Sequence, residues 1–344
     1  MKMNIILISL FSGVLLLAAV FPSAAQAGEE WAVVNATEAF MREEPRYGSE
    51  LVSQTRMGTL VKVLDRSGYW VKIHTPEPYE GWVNSMSLAP SKPQKPYGTT
   101  LAAMTAAQAK EYLKAPRLIY TGVDPVKVYK APGSGELVCT LLMSDIVRPG
   151  NPGGTTAPEG WKCVLLPDGC TGWAETDCLE DFEAWARGKS RECDKCRIEG
   201  IVALARKFIG LPYLWGGMSA NHFDCSGLVG FCFFMNGVLL PRDASQQVNC
   251  GVEVSFDQMQ AGDLVFFGEK GIAHVGLCVA PGRIIHSSQL VRENSLVAGD
   301  PDYYGRRILH IRRIFGHFDK GKGDFRARGI YGSPEYFQLS SHDR

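Results

Sequence analysis

One segment of this 344-residue chain occurs twice. Glu50-Leu51-Val52 and Met57 return 86 residues later as Glu136-Leu137-Val138 and Met143, and Trp70, Gly81 and Trp82 return 91 residues later as Trp161, Gly172 and Trp173. The five added residues fall in the Pro/Gly-rich stretch 149–158. A repeat at this spacing is one folding unit used twice. Each copy consists of short β-branched and aromatic runs, such as Leu60 to Leu64 and Trp70 to Ile73, broken by Gly, Pro and Asp. That pattern suits a small antiparallel barrel. Thr100 to Leu113, rich in Ala, Lys and Gln, predicts a helical connector between the copies, and Glu180 to Arg187 a second connector beyond them. The chain is thereby divided into 28–99 and 116–180 as barrels, 100–115 and 181–196 as connectors, and 197–344 as a further domain.

The further domain carries the chemistry. Cys225 stands in Asp224-Cys225-Ser226-Gly227, His274 follows 49 residues later in Ala273-His274-Val275-Gly276, and His286 stands 12 residues beyond that. Gly227 to Met235 is a continuous apolar run that reads as a buried helix, with Cys225 at its first turn and Asp224 as its N-cap. Unpaired N–H groups there favour an anion, and a neighbouring imidazole takes the thiol proton, so a reactive thiolate is expected at Cys225. Residues 273–279 alternate as a strand, with His274, Gly276 and Cys278 on one face. Pro281-Gly282 breaks the run and Arg283 to Ser287 resumes it. A hairpin loop of odd length centred on Ala280 would set His274 directly opposite His286, whereas a two-residue loop at 281–282 would put them on opposite faces. His222, three residues before Cys225, is poorly placed as a base.

Six ordered motifs then carry a resemblance: Tyr213-Leu214-Trp215-Gly216-Gly217, Asp224-Cys225-Ser226-Gly227, Pro241 to Gln247, Gly262-Asp263-Leu264-Val265-Phe266-Phe267, Ala273-His274-Val275-Gly276 and Ile285-His286. Over roughly 197–318 the chain resembles the NlpC family of papain-like cysteine peptidases, and the duplicated units resemble bacterial SH3-like domains. The order is similar to that of gamma-D-glutamyl-L-diamino acid endopeptidases. The resemblance implies an α+β fold: a helix bearing the cysteine packed on an antiparallel sheet, preceded by two SH3-like barrels. It implies a catalytic set of Cys225, His274 and His286 and cleavage of the gamma-D-glutamyl-to-diamino acid bond of peptidoglycan stem peptides, L-Ala-gamma-D-Glu-diamino acid, with a free N-terminal L-alanine.

A free ammonium needs carboxylate or carbonyl partners. Asp224 is the first candidate. The resemblance adds Glu50 and Tyr79 from the first barrel and Tyr213, Trp215, Ser226 and Ser245 from the catalytic side, with Tyr213 also an oxyanion donor beside the Cys225 N–H. Glu136 repeats Glu50, which favours a shared structural role for that pair; Glu43, Glu44 and Glu80 are alternatives for the acidic contact. Tyr79 has no counterpart, since Gly169-Cys170-Thr171-Gly172 replaces Pro78-Tyr79-Glu80-Gly81. Two other readings stay open: a hydrolase or amidase acting on polymeric peptidoglycan, and a wall-binding module with an inactive catalytic domain. Retention of both Cys225 and His274 argues against the last.

Lys2, the apolar stretch Ile5 to Phe21 and Ala25-Gln26-Ala27 form a signal-peptide pattern, so export with cleavage near Ala27 is expected, and no membrane attachment afterwards. With 36 basic and 36 acidic side chains, the charge balance offers no footprint for nucleic acid. Cys193-Asp194-Lys195-Cys196 has no second CxxC or HxxxH to complete a tetrahedral set, so no metal is expected, and no nucleotide fingerprint implies a cofactor. Export permits disulfides, Cys170 with Cys178 or Cys139 with Cys163 being the candidate pairs, with a local bridge or free thiols at Cys193 and Cys196. Nothing in the pattern asks for an oligomer, and a monomer is expected.

Overall fold

The computed structural model describes residues 29–90, 103–151, 153 and 157–317. The signal-peptide pattern, part of the first connector and 318–344 lie outside the described residues. The first sheet comprises β1 (Glu30–Val33), β2 (Glu38–Arg42), β3 (Leu51–Arg56), β4 (Leu60–Ser67), β5 (Trp70–Thr75), β6 (Tyr79–Asn84) and β7 (Met104–Thr105), in the order β3-β2-β6-β5-β4-β1-β7. The second comprises β8 (Leu118–Tyr120), β9 (Val126–Tyr129), β10 (Leu137–Leu141), β11 (Ile146–Pro149), β12 (Trp161–Leu165), β13 (Thr171–Glu175) and β14 (Leu179–Asp181), in the order β10-β9-β13-β12-β11-β8-β14. Renumbered by seven, the two orders are identical. Alternation buries Ala39, Met41, Val61, Val71, Ile73 and Val83 inside the first and Val128, Leu141, Val147, Val164 and Ala174 inside the second.

Each connector region carries a short strand ahead of its helix. Met104–Thr105 pairs with β1 before α1 (Ala106–Lys114) starts, because Thr105 and Gln108 form a capping box that fixes the helix origin there. Leu179–Asp181 pairs with β8, and Asp181 then caps α2 (Phe182–Arg191) by accepting from Ala184 N–H at 2.7 Å.

The repeated methionines explain why the repeat includes them. Met57 leaves the first barrel and is buried in the core of the second, where its N–H bonds the Asp145 carboxylate and its carbonyl accepts from Ile146. Met143, its equivalent, is buried in the core of the third domain, the one that bears Cys225. Each sits before a left-handed residue, Gly58 with φ +78° and Ser144 with φ 80°. At Gly58 a Cβ would lie 1.9 Å from the Ile146 carbonyl oxygen, so only glycine fits the junction between the barrels.

In the catalytic domain α3 (Asp194–Lys207) precedes a small hairpin, β15 (Met218–Ser219) and β16 (His222–Phe223), which feeds directly into α4 (Cys225–Phe234). α5 (Ala244–Gln247) and β17 (Val252–Glu253) lead to β18 (Leu264–Phe267), β19 (His274–Ala280), β20 (Arg283–Ser288), β21 (Leu290–Ser295) and β22 (Ile308–Arg313), ordered β17-β22-β18-β19-β20-β21. Leu264, Phe266, Val275, Leu277 and Ile285 face α4, while Val265, Phe267, Cys278 and Ile284 line a second apolar layer behind the sheet. That two-sided burial is why β18 is uninterruptedly apolar. Arg56 of the first barrel lies over the Phe234 ring of α4 at 4.4 Å and pairs with Glu77 at 2.7 Å, seating barrel and helix on each other.

Candidate active site

The N-cap of α4 is Asp224, whose Oδ1 accepts from Gly227 N–H at 2.6 Å. The same carboxylate accepts from Gly216 N–H at 3.0 Å, from the Ser226 hydroxyl at 3.2 Å, and from both terminal nitrogens of Arg242 at 3.1 and 2.5 Å. Arg242 is buried, and its Nε donates to the Ser53 hydroxyl of β3 at 2.9 Å. The nucleophile's cap is thus tied to the first barrel. Ser226 is drawn into the same network, donating to Asp224 and accepting from Arg242 at 3.0 Å.

The hairpin ahead of Cys225 is held from the same side. Met218 N–H donates to Gln54 Oε1 at 2.6 Å, Asn221 donates to Glu38 at 3.0 Å, and the Ser219 hydroxyl donates to the same Glu38 carboxylate. His222 lies 3.4 Å from Glu38 and 3.4 Å from the Gln54 amide, committed to this contact rather than to the thiol.

The backbone N–H groups of Ser226 and Val275 act on the Cys225 thiol, which places it at the His274 end of β19. Those donors and Arg242 favour a thiolate, but burial, reinforced by Asp224, outweighs them and pushes the thiol up to about 11. Burial thus opposes the thiolate that the helix terminus favours, and the neighbouring imidazole is left to take the proton. His274 is neutral, lowered to about 3 by burial first and then by His286, Arg306 and Arg292. His286 is lowered to about 4, again chiefly by burial.

His274 Nε2 and His286 Nδ1 are 2.8 Å apart, with the rings edge to face. The register that achieves this differs from the expectation. The loop is the two-residue one, since Ala280 pairs with Arg283, but a bulge between Cys278 and Ala280 shifts the ladder so that Leu277 pairs with Ile285. The extra residue restores a common face. His286 then sits across from Gly276, and His274 lies diagonally one step along. A side chain at 276 would begin 3.5 Å from the His286 Cβ and 2.9 Å from Ile284 Cδ1, so glycine leaves the room in which the two rings meet.

Three residues complete the pair, two of which, Asn294 and Tyr304, no motif singled out. Asn294 Oδ1 lies 2.9 Å from His286 Nε2. The Tyr304 ring covers His286 at 4.3 Å and His274 at 5.8 Å, and Phe267 closes the cluster at 5.8 Å from His274.

Of the remaining sequence candidates, Tyr213 is half-buried beside Cys225, its phenol raised by burial and then by the charges of Cys225 and Asp224, so it stays a donor. Trp215 is 59% exposed at the rim, and Ser245 is exposed on α5. Tyr79 of β6 is half-buried, and burial first and then the neighbouring Asp243 charge raise its phenol to about 12. The Glu50 side chain is exposed, next to Leu51, whose carbonyl lies against Gly216. All ten cysteines, including Cys139, Cys163, Cys170 and Cys178, are free thiols.

The histidine pair has a measurable signature. In the unfolded chain both rings protonate near pH 6.5, whereas in the fold they stay neutral down to about 3 and about 4. The folded state binds fewer protons across that window, so this contribution to stability is intact above pH 6.5 and is lost as pH falls toward 4. The expected urea midpoint drops between pH 7 and pH 4.5, and His286→Phe drops less. Equal drops in the two proteins would contradict the assignment.

Residues 210–313 match the NlpC/P60 family and residues 37–89 a bacterial SH3 domain. Over 121 residues the chain is 40% identical to a gamma-D-glutamyl-L-lysine dipeptidyl-peptidase of Bacillus subtilis, spanning 34% of this chain and 41% of that protein. Over 278 residues it is 28% identical to a Bacillus cereus protein of the same name, spanning 77% and 75%. The chain therefore spans less than half of the first relative and about three quarters of the second. A crystal structure of an NlpC/P60 family protein from Bacillus cereus superposes with a TM-score of 0.64 at 20% identity, over 82% of this chain and 99% of that one, a likeness of fold. The helix bearing Cys225, the sheet bearing both histidines and the barrel packed against them are an NlpC/P60 domain preceded by a bacterial SH3 domain.

Proposed function

We propose that the chain is an exported cysteine endopeptidase that hydrolyses the gamma-D-glutamyl-to-diamino acid bond of peptidoglycan stem peptides with a free N-terminal L-alanine, a role in wall-peptide recycling. Cys225, His274 and His286 supply the chemistry. His274 has Nε2 engaged with His286, leaving Nδ1 to take the thiol proton. Burial disfavours the charged form of thiol and imidazole alike, so transfer accompanies attack on the carbonyl carbon rather than preceding it. The tetrahedral oxyanion is met by the Tyr213 hydroxyl and by the Cys225 N–H, which as the first of α4 has no intrahelical partner. His274 then protonates the departing amine of the diamino acid. Water, deprotonated by the same ring, releases the glutamyl product from the thioester.

The observation that carries the substrate assignment is the tie between the first barrel and the nucleophile's cap, in which Arg242 bonds Ser53 of the barrel at 2.9 Å and Asp224 at 2.5 Å. Asp224 is already saturated by Arg242, Gly216, Gly227 and Ser226, so it is poorly suited to receive a substrate ammonium. Asp243, next to Arg242 and only partly buried, has its carboxyl raised by burial against the lowering charge of Arg242, so a substrate ammonium would relieve it. A barrel closing the cleft around that carboxylate favours a small cationic terminus over a glycan-linked one. Purified mature protein should turn over L-Ala-gamma-D-Glu-diaminopimelate at least ~10²-fold faster, in kcat/KM, than its N-acetylmuramoyl-capped equivalent, as expected when a site's polar group is left unpaired. Equal turnover would transfer the assignment to polymeric peptidoglycan.

A further inference from the structure

The two imidazoles form one end of a longer chain of hydrogen bonds, and its other end is backbone. Asn294 Nδ2 donates to the Asp302 carbonyl at 2.6 Å. A carbonyl only accepts, so this bond fixes the orientation of the amide and leaves Oδ1, an acceptor, facing His286 Nε2 at 2.9 Å. His286 is fully buried, and the charged side chains around it, Arg292 on β21 and Arg306 in the following loop, are both cations that disfavour a second proton. Its other ionisable neighbours are His274 on β19 and the Tyr304 phenol, which covers its ring. A neutral imidazole has one donor and one acceptor. Donation from Nε2 to Asn294 makes Nδ1 the acceptor, so the bond of 2.8 Å between the rings is donated by His274 Nε2. His274 then carries its proton on Nε2, and its Nδ1 holds a lone pair, the state a general base requires.

We propose that Asn294 is a positioning residue that sets the tautomer of both active-site imidazoles, so that the orientation of one side-chain amide determines whether His274 can accept the Cys225 proton. Without the acceptor at 294, Nε2–H of His286 would be buried and unpaired. The ring would be more stable with its proton on Nδ1, donating toward His274. His274 would then accept at Nε2 and hold its own proton on Nδ1, where it cannot take another. Asn294 lies in β21, at the position paired with Ile284, and belongs to none of the six motifs. The inference rests on the cysteine peptidase reading for its catalytic consequence, though not for its structural one.

The structural consequence is read without substrate. In histidine-labelled protein carrying Cys225→Ala, long-range nitrogen–proton correlation spectra should show both His274 and His286 as Nε2–H tautomers at pH 7. Finding His286 protonated on Nδ1 would overturn the proposal. In protein with Cys225 intact, Asn294→Leu should lower kcat on the order of 10²-fold with KM within about twofold, a smaller loss than the ~10⁴ that follows when the base's own partner imposes the wrong tautomer. Asn294→Asp keeps an acceptor oxygen but adds a charge that favours the imidazolium of His286, so the acid limb of kcat/KM should move to higher pH. A leucine variant with kcat within about threefold of the parent, or an aspartate variant with an unmoved acid limb, would reduce Asn294 to a structural residue. If the leucine variant fails to fold, the tautomers at unsubstituted Asn294 decide alone. Absent turnover with both rings as Nε2–H would count against the endopeptidase reading and leave this one standing.

Discussion

Cys225→Ala should abolish turnover of L-Ala-gamma-D-Glu-diaminopimelate, a loss on the order of 10⁶ in kcat, while leaving the melting transition within about a degree or two of the parent. The loss should be this complete because no neighbouring nucleophile can substitute. Ser226 is adjacent but buried, its hydroxyl donating to Asp224 and accepting from Arg242. His222 is held by Glu38 and Gln54 of the first barrel. The fold should tolerate the change, since Sγ contributes to no ion pair and a methyl group fits among its apolar neighbours. Residual activity above about 1% of the parent, after exclusion of contaminating peptidase, would remove Cys225 from the role of nucleophile.

Arg242→Met should cost about 3–5 kcal/mol of folding stability, the range for removing one partner of a buried ion pair. The arginine supplies three of the donors that satisfy Asp224 and Ser226, and methionine supplies none. Asp224 would remain buried with only Gly216, Gly227 and Ser226 as donors, and its position as the cap of α4 would loosen. The substitution also removes the bond to Ser53, so the contact between barrel and catalytic domain weakens at the same time. Urea unfolding should show the midpoint falling, and Arg242→Lys should fall less, because an ammonium keeps the charge but loses the two-pronged grip on the carboxylate. A stability change under about 1 kcal/mol for methionine would mean that the carboxylate is solvated or protonated once its partner is gone.

The sequence was most legible where a single interaction dominates. The apolar run 227–235 could hardly be anything but a buried helix, and from Ser226 to Phe234 only Gly230 is not fully buried. Duplicated residues led to duplicated strand order because local register and core alternation travel together. The meeting of His274 and His286 was anticipated by the wrong route. Counting residues cannot reveal a bulge, and the one between Cys278 and Ala280 reverses the parity that a two-residue loop would impose. Asn294 and Tyr304 were invisible because their contacts depend on how β21 and the loop after it fold back over β20. Arg242 stood in a quoted motif, yet its role depends on Ser53 across a domain boundary, 189 residues away in sequence. Asp224 was correctly placed as a cap, but its full set of donors, from Arg242 above all, was not legible in the sequence.

The methionines at the two junctions give the chain a direction. Each copy of the repeated unit extends Met57 or Met143 forward into whatever follows it, and the second copy accepts the residue of the first. A heterologous contact of this head-to-tail kind contains no built-in stopping point. A third copy spliced between 115 and 116 would meet a plug from the unit before it and offer one to the unit after. The catalytic domain terminates the series by accepting the last methionine into its own interior. The array is thus polar in the way a filament is polar, with the hydrolytic domain as its end cap.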